Sequence, residues 1–160
     1  MENQEIIARV TEPILREYQS AFKSFRETIA IIPDDEWTRG DKPGQIPVRL
    51  ACHALFALDA KSGGHQVKAS TRFGAPVGTF SRVVSQEAYP NRQAVLAYID
   101  DLEKQTLAWV IETARKALSG AAKQPSPLNA VLYYLRHTIV HLANLRWEMD
   151  RRGMHNLDYS

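Results

Sequence analysis

Two histidines four residues apart, His137 and His141, are the residues of this chain whose type and spacing best suit chemistry. The pattern around them predicts a helix, and residues four apart on a helix lie on one face, one turn above the other. Two imidazoles with this spacing can bind one divalent metal ion. A third histidine, His53, lies in an apolar stretch far upstream. If the fold brings His53 beside the pair, the chain contains a three-histidine metal site.

The direction of the two imidazoles can be predicted from a helical wheel. At about 100° per residue, a polar arc with Arg136, Arg146 and Asp150 lies on the side away from both histidines. We expect this arc to face water and both imidazoles to point to the centre of the protein. The residues expected to flank them are Leu142, Leu145 and Met149 on one side, and Tyr133, Val140 and Trp147 on the other.

Two further polar residues, Asn144 and Glu148, continue the stripe that is predicted to be buried. Burying a polar group without a partner costs about 1–3 kcal/mol, so each should have one. A Glu or Asn commonly orients a ligating imidazole through its second ring nitrogen. Glu148 is therefore a candidate for orienting a ligand or for acting as a catalytic base. The alternative for Glu148 is a salt bridge with an arginine on another helix.

Aromatic residues near the pair are candidate walls of a pocket, namely Tyr133, Tyr134 and Trp147. The alternative is that they are core residues, as aromatic residues at helical spacing usually are. Cys52 precedes His53 but is rotated from it by about 100° on a helix, so we expect a buried structural thiol rather than a ligand or nucleophile.

The other histidines are less suited to a shared site. His65 lies twelve residues after His53, which is about 18 Å along a continuous helix, so the two cannot share one metal ion. His155 follows Gly153 and is expected at the surface. His53 itself has an alternative interpretation, as a buried histidine that only forms a hydrogen bond with a carbonyl or hydroxyl group.

Apolar residues at steps of three and four predict four helices. The first runs from about Ile6 to Ile32, and Pro13 either kinks it or follows a new start that Thr11 caps. The second is apolar almost all round and should be buried. The predicted limits of the others are Val48 to about Ser62 for the second, Asn91 to about Ser119 for the third, and Ser126-Pro127 to about Arg152 for the fourth.

Four such helices predict an all-α fold, a four-helix bundle formed by a single domain that covers residues 1–160. Residues 34–47 contain two glycines and two prolines and should form a loop. The connection from 65 to 90, between the second and third helices, is unusually long for a compact domain. Its role stays open between a lid, a dimer contact and a plain loop.

Composition excludes several classes of protein. The chain has 20 basic and 18 acidic residues, a balance that does not favour binding to nucleic acid or to a membrane surface. It has one cysteine, Cys52, so it cannot form an internal disulfide, which fits a reducing compartment. No stretch approaches about 18 consecutive apolar residues, and the first residues are polar and unlike a secretory signal. We therefore expect a soluble, cytoplasmic protein.

The arrangement of histidines resembles the DinB-like superfamily of metal-binding four-helix bundles, which includes the YfiT-type proteins. In that family one histidine comes from the second helix and an HxxxH pair from the fourth, which His53, His137 and His141 match. Helix order, the long link, chain length and the segment 145–153 agree as well. One departure is the sequence Leu142-Ala143-Asn144, where many members have a polar and a small residue such as Arg-Gly. This departure leaves the subgroup and its substrate open.

The resemblance implies a divalent ion, zinc or nickel, with three protein ligands, and homodimers as a common state. Some relatives are transferases or isomerases that use a low-molecular-weight thiol. Three neutral imidazoles leave a coordination position open, as in catalytic rather than structural zinc sites. The first hypothesis is thus a metal-dependent enzyme that activates water or a thiol cofactor, a hydrolase or thiol-dependent transferase acting on a small molecule. The alternatives are a non-catalytic binding module with a vestigial metal site and a purely structural bundle without metal.

Overall fold

The computed structural model describes residues 2–63, 72–120 and 126–154, and these residues form helices, turns and loops without any strand. The all-α prediction is thereby confirmed. The helices are α1 (Glu2–Ile31), α2 (Asp34–Trp37), α3 (Pro47–Ser62), α4 (Arg92–Leu118) and α5 (Pro127–Arg151). Two short 3₁₀ turns, Pro43–Gln45 and Gln86–Ala88, lie in the connections. No helix of the described part of the chain is long and apolar enough to cross a membrane.

Helix α1 is continuous through Pro13, so the proline does not separate two helices. The hydroxyl of Thr11 donates back to the carbonyls of Ile7 and Ala8, one turn earlier in the same helix. Because that hydroxyl is engaged inside the helix, Thr11 does not cap a new start, and this alternative is wrong. The apolar side of the helix is completely buried at Tyr18, Phe22, Phe25 and Ile29, among others.

The segment 34–47, predicted as a loop, contains the short helix α2 and one of the 3₁₀ turns. Trp37 is buried, and its indole N–H donates to the carbonyl of Pro90 at 2.8 Å. This bond ties the end of α2 to Pro90, two residues before the start of α4. Helix α3 begins at Pro47, one residue earlier than predicted, because proline is well suited to the first turn of a helix.

The ends of α4 and α5 follow the local signals in the sequence with one exception. The Asn91 side chain accepts a hydrogen bond from the Ala94 N–H, as expected of an N-cap. Gly120 and Gly153 follow the two helices with positive φ angles of 73° and 83°, which glycine adopts without strain. Ser126 precedes α5, but its side chain forms no capping hydrogen bond, so that part of the prediction is wrong; Pro127 at the first position starts the helix instead.

The four long helices share one hydrophobic core. Helix α5 packs against α1, α3 and α4, and α1 packs against α4. Helix α3 is buried on nearly all sides, as its composition predicted. This packing places the middle of α3 beside the middle of α5, the two helices that carry the three histidines of interest.

The described part of the long connection, residues 72–90, packs onto α3. Val77 is completely buried, and the guanidinium group of Arg49, itself 3% exposed, donates to the carbonyls of Val77, Thr79 and Arg82. A buried arginine needs such acceptors because its charge and five N–H donors are costly to desolvate. These bonds fix the backbone of residues 77–82 against the helix that carries His53.

Candidate metal centre

The fold brings His53 of α3 to His137 and His141 of α5. The ring centroids are 5.6 Å apart for His53 and His137, 4.5 Å for His53 and His141, and 4.4 Å for His137 and His141. One ring nitrogen from each of the three lies within 4.8 Å of the others, so the three side chains could hold a metal ion. The predicted convergence of the three histidines is confirmed.

The histidines lie at the edge of the core and not at its centre, which corrects the prediction from the helical wheel. All three are partly buried. Apart from Glu148, the buried residues of α5 form an arc centred about 120° from His137. They are Val131, Leu135, Thr138, Leu142, Leu145 and Met149. The wheel placed Tyr133, Val140 and Trp147 inside because they are apolar, and this shifted the predicted buried arc. In the structure all three of these residues are exposed.

His53 is held in place by the backbone of the long connection. Its Nδ1 lies 2.8 Å from the carbonyl oxygen of Gly78. A carbonyl oxygen only accepts, so Nδ1 carries the proton, and in the neutral ring Nε2 keeps the free lone pair. A ligating histidine is usually oriented through its second nitrogen in this way. The hydrogen bond of the alternative interpretation is therefore present, and it leaves His53 free to ligate through Nε2.

Gly78 can supply this carbonyl because it has no side chain. A Cβ atom at this position would lie 2.8 Å from the backbone carbon and oxygen of Cys52. Such a contact is too short for any side chain, so an alanine would push the segment 77–82 away from α3. The close approach of the two backbones at Gly78 thus determines the orientation of the His53 ring.

The environment of the other two imidazoles also fits a cation. The Nδ1 atoms of His137 and His141 are buried and have no hydrogen-bond partner among the described residues. Leaving such a nitrogen unpaired costs about 1–3 kcal/mol, and metal coordination can satisfy an unpaired imidazole nitrogen. Burial, and then repulsion from His53 and His137 in their protonated forms, lowers the pKa of His141 to about 4. Burial and His53 likewise lower the pKa of His137. Both rings are thus neutral at pH 7, the form that binds metal.

The spacing of the nitrogens requires a small closure around an ion. Two nitrogen ligands at about 2.0–2.1 Å from one ion are at most about 4.2 Å apart. The observed limit of 4.8 Å exceeds this by less than about 1 Å, which small rotations of the side chains can supply. The donor set of three imidazoles suits zinc or nickel better than magnesium or calcium, which prefer oxygen ligands.

A cavity of about 440 Å³ opens beside His53. Its walls are mostly apolar, and Thr79 and Ser81 add hydroxyl groups. Phe80 stacks on the His53 ring with a centroid distance of 4.4 Å and an angle of 18° between the planes. The lining residues are His53, Phe56, Ala57, Ala60, Gly78, Thr79, Phe80 and Ser81. A small molecule in this cavity would therefore contact one of the three histidines directly.

Two of the predicted pocket aromatics lie beside the site. The rings of Tyr133 and Tyr134 are 6.2 Å and 6.3 Å from the ring of His137. Trp147 is 66% exposed and lines a different groove, on the outer side of α5. Asn144 was predicted to be buried beside the histidines, but it is exposed, so that prediction is wrong. It fails for the reason given above, since the buried arc of α5 lies further round the helix.

Glu148 is 1% exposed, as predicted, and both its carboxylate oxygens accept hydrogen bonds from arginines. Arg151 donates at 2.7 Å and 3.1 Å, and Arg152 donates at 2.9 Å. Burial opposes ionisation of Glu148, but the two arginines outweigh it and lower its pKa. The partners lie at the end of the same helix and not on another one. The catalytic role of Glu148 stays a prediction, while its ion pairs match the structural alternative.

Other residues predicted from sequence have simpler outcomes. Cys52 is completely buried, and burial raises the pKa of its thiol well above the ordinary value, in line with an unreactive structural thiol. His65 and His155 lie outside the described residues. The roles of Arg49, Gly78 and Phe80 were not predicted from the sequence. A charged residue inside the otherwise apolar stretch 48–58 is the only local signal that could have drawn attention to Arg49.

Comparison with known proteins returned no relative. No family model, no curated protein and no solved structure matches this chain. The geometry of the site therefore carries the functional interpretation.

Proposed function

We propose that this protein is a metal-dependent enzyme of the DinB-like superfamily, with the four long helices arranged as that family's four-helix bundle. In this proposal His53, His137 and His141 bind one divalent ion, zinc or nickel. The observation that carries it is the convergence of three half-buried imidazoles from two helices. Three half-buried imidazoles, with no acidic group from the described residues in their cluster, are expensive to maintain unless they bind something.

The chemistry follows from the number of protein ligands. A zinc ion held by His53, His137 and His141 would have a coordination position open to a water or thiol, and it would lower the pKa of the group bound there. The protein supplies the rest. Gly78 holds the His53 ring, Phe80 stacks on that ring, and the cavity beside His53 has room for a small substrate. We propose a reaction in which water or a low-molecular-weight thiol is the nucleophile.

The test is turnover by the metal-loaded protein. Purified protein would be loaded with zinc or nickel and assayed against activated esters, and against electrophiles in the presence of several small thiols. The proposal predicts turnover that a chelator removes and that added metal restores. The variant Phe80→Ala, which opens the cavity without removing a ligand, should change KM more than it changes metal content.

Two results would separate this proposal from its alternatives. Stable metal binding without turnover of any tested ester or thiol conjugate would favour a binding module. Absence of metal binding would leave a structural helical protein. Turnover that is lost when the ion is removed and regained when the ion is added back would support the enzyme and neither of the alternatives.

A further inference from the structure

The cavity beside His53 runs along one face of α3. Ala57 and Ala60 follow His53 by four and seven residues, so they lie within about 40° of it on the helix and about 6 Å and 10 Å further along. His53 is the first residue of α3 that lines the cavity, and Ala60 is the last. The rest of the described wall comes from Phe56 and from residues 78–81. The cavity therefore extends along the helix from a proposed metal ligand.

The part of the wall that residues 78–81 contribute is fixed in place. Arg49 donates hydrogen bonds to the carbonyls of Thr79 and Arg82, and the carbonyl oxygen of Gly78 lies 2.8 Å from Nδ1 of His53. These bonds hold the segment against α3 with no ligand bound. A cavity that is already formed spares a ligand the cost of ordering the chain around it.

The walls of the cavity suit an uncharged ligand. Apart from His53, none of the described residues that line it is ionisable, and Thr79 and Ser81 contribute neutral hydroxyl groups. A carboxylate placed between Ala57 and Ala60 would lose its hydration without gaining a cation as a partner. An apolar chain in the same place would gain free energy by leaving water. The volume of about 440 Å³ lies in the range typical of sites for small molecules.

We propose that this cavity binds the uncharged apolar acyl chain of an ester substrate, with the carbonyl carbon at the His53 end and the chain running towards Ala60. The inference rests on the proposed function, with water as the nucleophile. The water oxygen forms a bond to the carbonyl carbon, and the bond from that carbon to the alcohol oxygen breaks. The alcohol oxygen takes a proton from the water, so the products are a carboxylic acid and an alcohol. Ala57 and Ala60 then determine the length of chain that fits, because a larger side chain at either position would fill the cavity.

The first test compares nitrophenyl esters that share one leaving group and differ in the acyl chain. Metal-loaded protein would be assayed with the acetyl, butyryl and hexanoyl esters, and with the succinyl ester, whose chain ends in a carboxylate. Each CH₂ group that enters the cavity should raise kcat/KM about two- to fourfold. The succinyl ester should be at least about tenfold poorer than the butyryl ester.

Two results of this test would overturn the inference and leave the proposed function standing. One is turnover with the same kcat/KM from the acetyl to the hexanoyl ester, or with a preference for the succinyl over the butyryl ester. The other is faster turnover of a benzoyl ester than of the hexanoyl ester, which would assign the cavity to a flat aromatic group instead.

Two variants test which residues determine the chain length. Ala60→Leu should lower the ratio of kcat/KM for the hexanoyl ester to that for the acetyl ester at least about fivefold, and Ala57→Leu should lower the ratio for the butyryl ester as well. Both alanines are only partly buried and line the cavity, so the added carbons enter the cavity and not the core. The control Ala97→Leu makes the same change at an exposed residue of α4 and should leave the ratios as in the wild type. Equal ratios in all four proteins would overturn the inference.

Binding without turnover separates this inference from the proposed function. Hexanamide, which has the same chain and no ester bond, would be titrated into isotope-labelled protein while the backbone amide shifts are followed by NMR. The inference predicts changes at Ala57 and Ala60, with and without metal, and weaker binding to Ala60→Leu than to Ala97→Leu. These changes without turnover of any ester would refute the proposed function and support the cavity as a site for an apolar acyl chain. Their absence overturns the inference, whether or not an ester is turned over.

Discussion

Replacing Glu148 by glutamine should destabilise the protein without affecting the metal centre. The substitution preserves the size of the side chain and removes its charge. In the folded protein Glu148 is 1% exposed and paired with Arg151 and Arg152, and Arg152 is also paired with Glu36 at 2.8 Å. Removal of one partner from a buried ion pair costs about 3–5 kcal/mol. The cost here should be lower, about 2–3 kcal/mol, because Arg151 is half exposed and Arg152 keeps Glu36.

The effect can be measured by urea unfolding and by the melting temperature. For a chain of this length, about 2–3 kcal/mol corresponds to a decrease in Tm of roughly 4–12 °C. The control is Glu12→Gln, because Glu12 pairs with Arg16 and is 61% exposed, so its removal should cost less than about 1 kcal/mol. Metal content should be the same in the wild type and in both variants.

The stability difference between the wild type and Glu148→Gln should depend on pH, because folding lowers the pKa of Glu148. Burial alone would raise the pKa of Glu148, but the hydrogen bonds from Arg151 and Arg152 hold it below the ordinary value. A group whose pKa is lowered by folding stabilises the protein fully above its unfolded pKa, about 4.3 for glutamate, and loses this contribution as the pH falls through the folded pKa. The difference in unfolding free energy between wild type and Glu148→Gln should therefore shrink below about pH 4.3. An equal stability of the two at pH 7, or a loss of metal in Glu148→Gln, would refute the reasoning.

Two further predictions concern the histidine cluster. Gly78→Ala should weaken zinc or nickel binding by about 10–100-fold in a calorimetric titration, because it displaces the carbonyl that orients His53. The control Gly44→Ala, where an added Cβ meets open space, should have no effect. Equal affinities of the two variants would show that this carbonyl does not position the ring. Metal-free protein should lose stability as the pH falls from about 6.5 to 4, because His141 binds a proton more readily in the unfolded chain than in the folded protein. Denaturant titrations at several pH values measure the slope of the unfolding free energy against pH, and His141→Gln should reduce this slope. A slope unchanged by His141→Gln would contradict the lowered pKa.

The helices and the histidine cluster could be predicted from sequence because their signals are local. Asn91 and Gly153 mark helix ends by their own chemistry, whatever the rest of the chain does. The spacing of His137 and His141 places both on one side of a helix for the same reason. Placing His53 beside the pair required one further inference. A histidine in a uniformly apolar helix is expected to lie near the core, beside another buried helix.

The rest depends on packing that the sequence pattern does not encode. The exact rotation of α5 could not be predicted because exposed Val140 and Trp147 are indistinguishable by type from core residues. The role of Gly78 depends on contact between a loop and α3, and Arg49 determines that contact through three carbonyls of the loop. The partner offered for Glu148 was an arginine on another helix. Arg152 could not be predicted in its place because it lies just past the end of α5, where backbone geometry determines its direction.

Metal content is the most direct test of the proposed three-histidine centre. Protein purified without a histidine tag would be analysed for zinc and nickel by mass spectrometry, beside His137→Ala and the control Asn144→Ala, which changes an exposed residue of the same helix. The proposal predicts about one equivalent of metal per chain in the wild type and the control, and none in His137→Ala. Metal at equal content in all three proteins, or in none of them after growth with both ions, would contradict it.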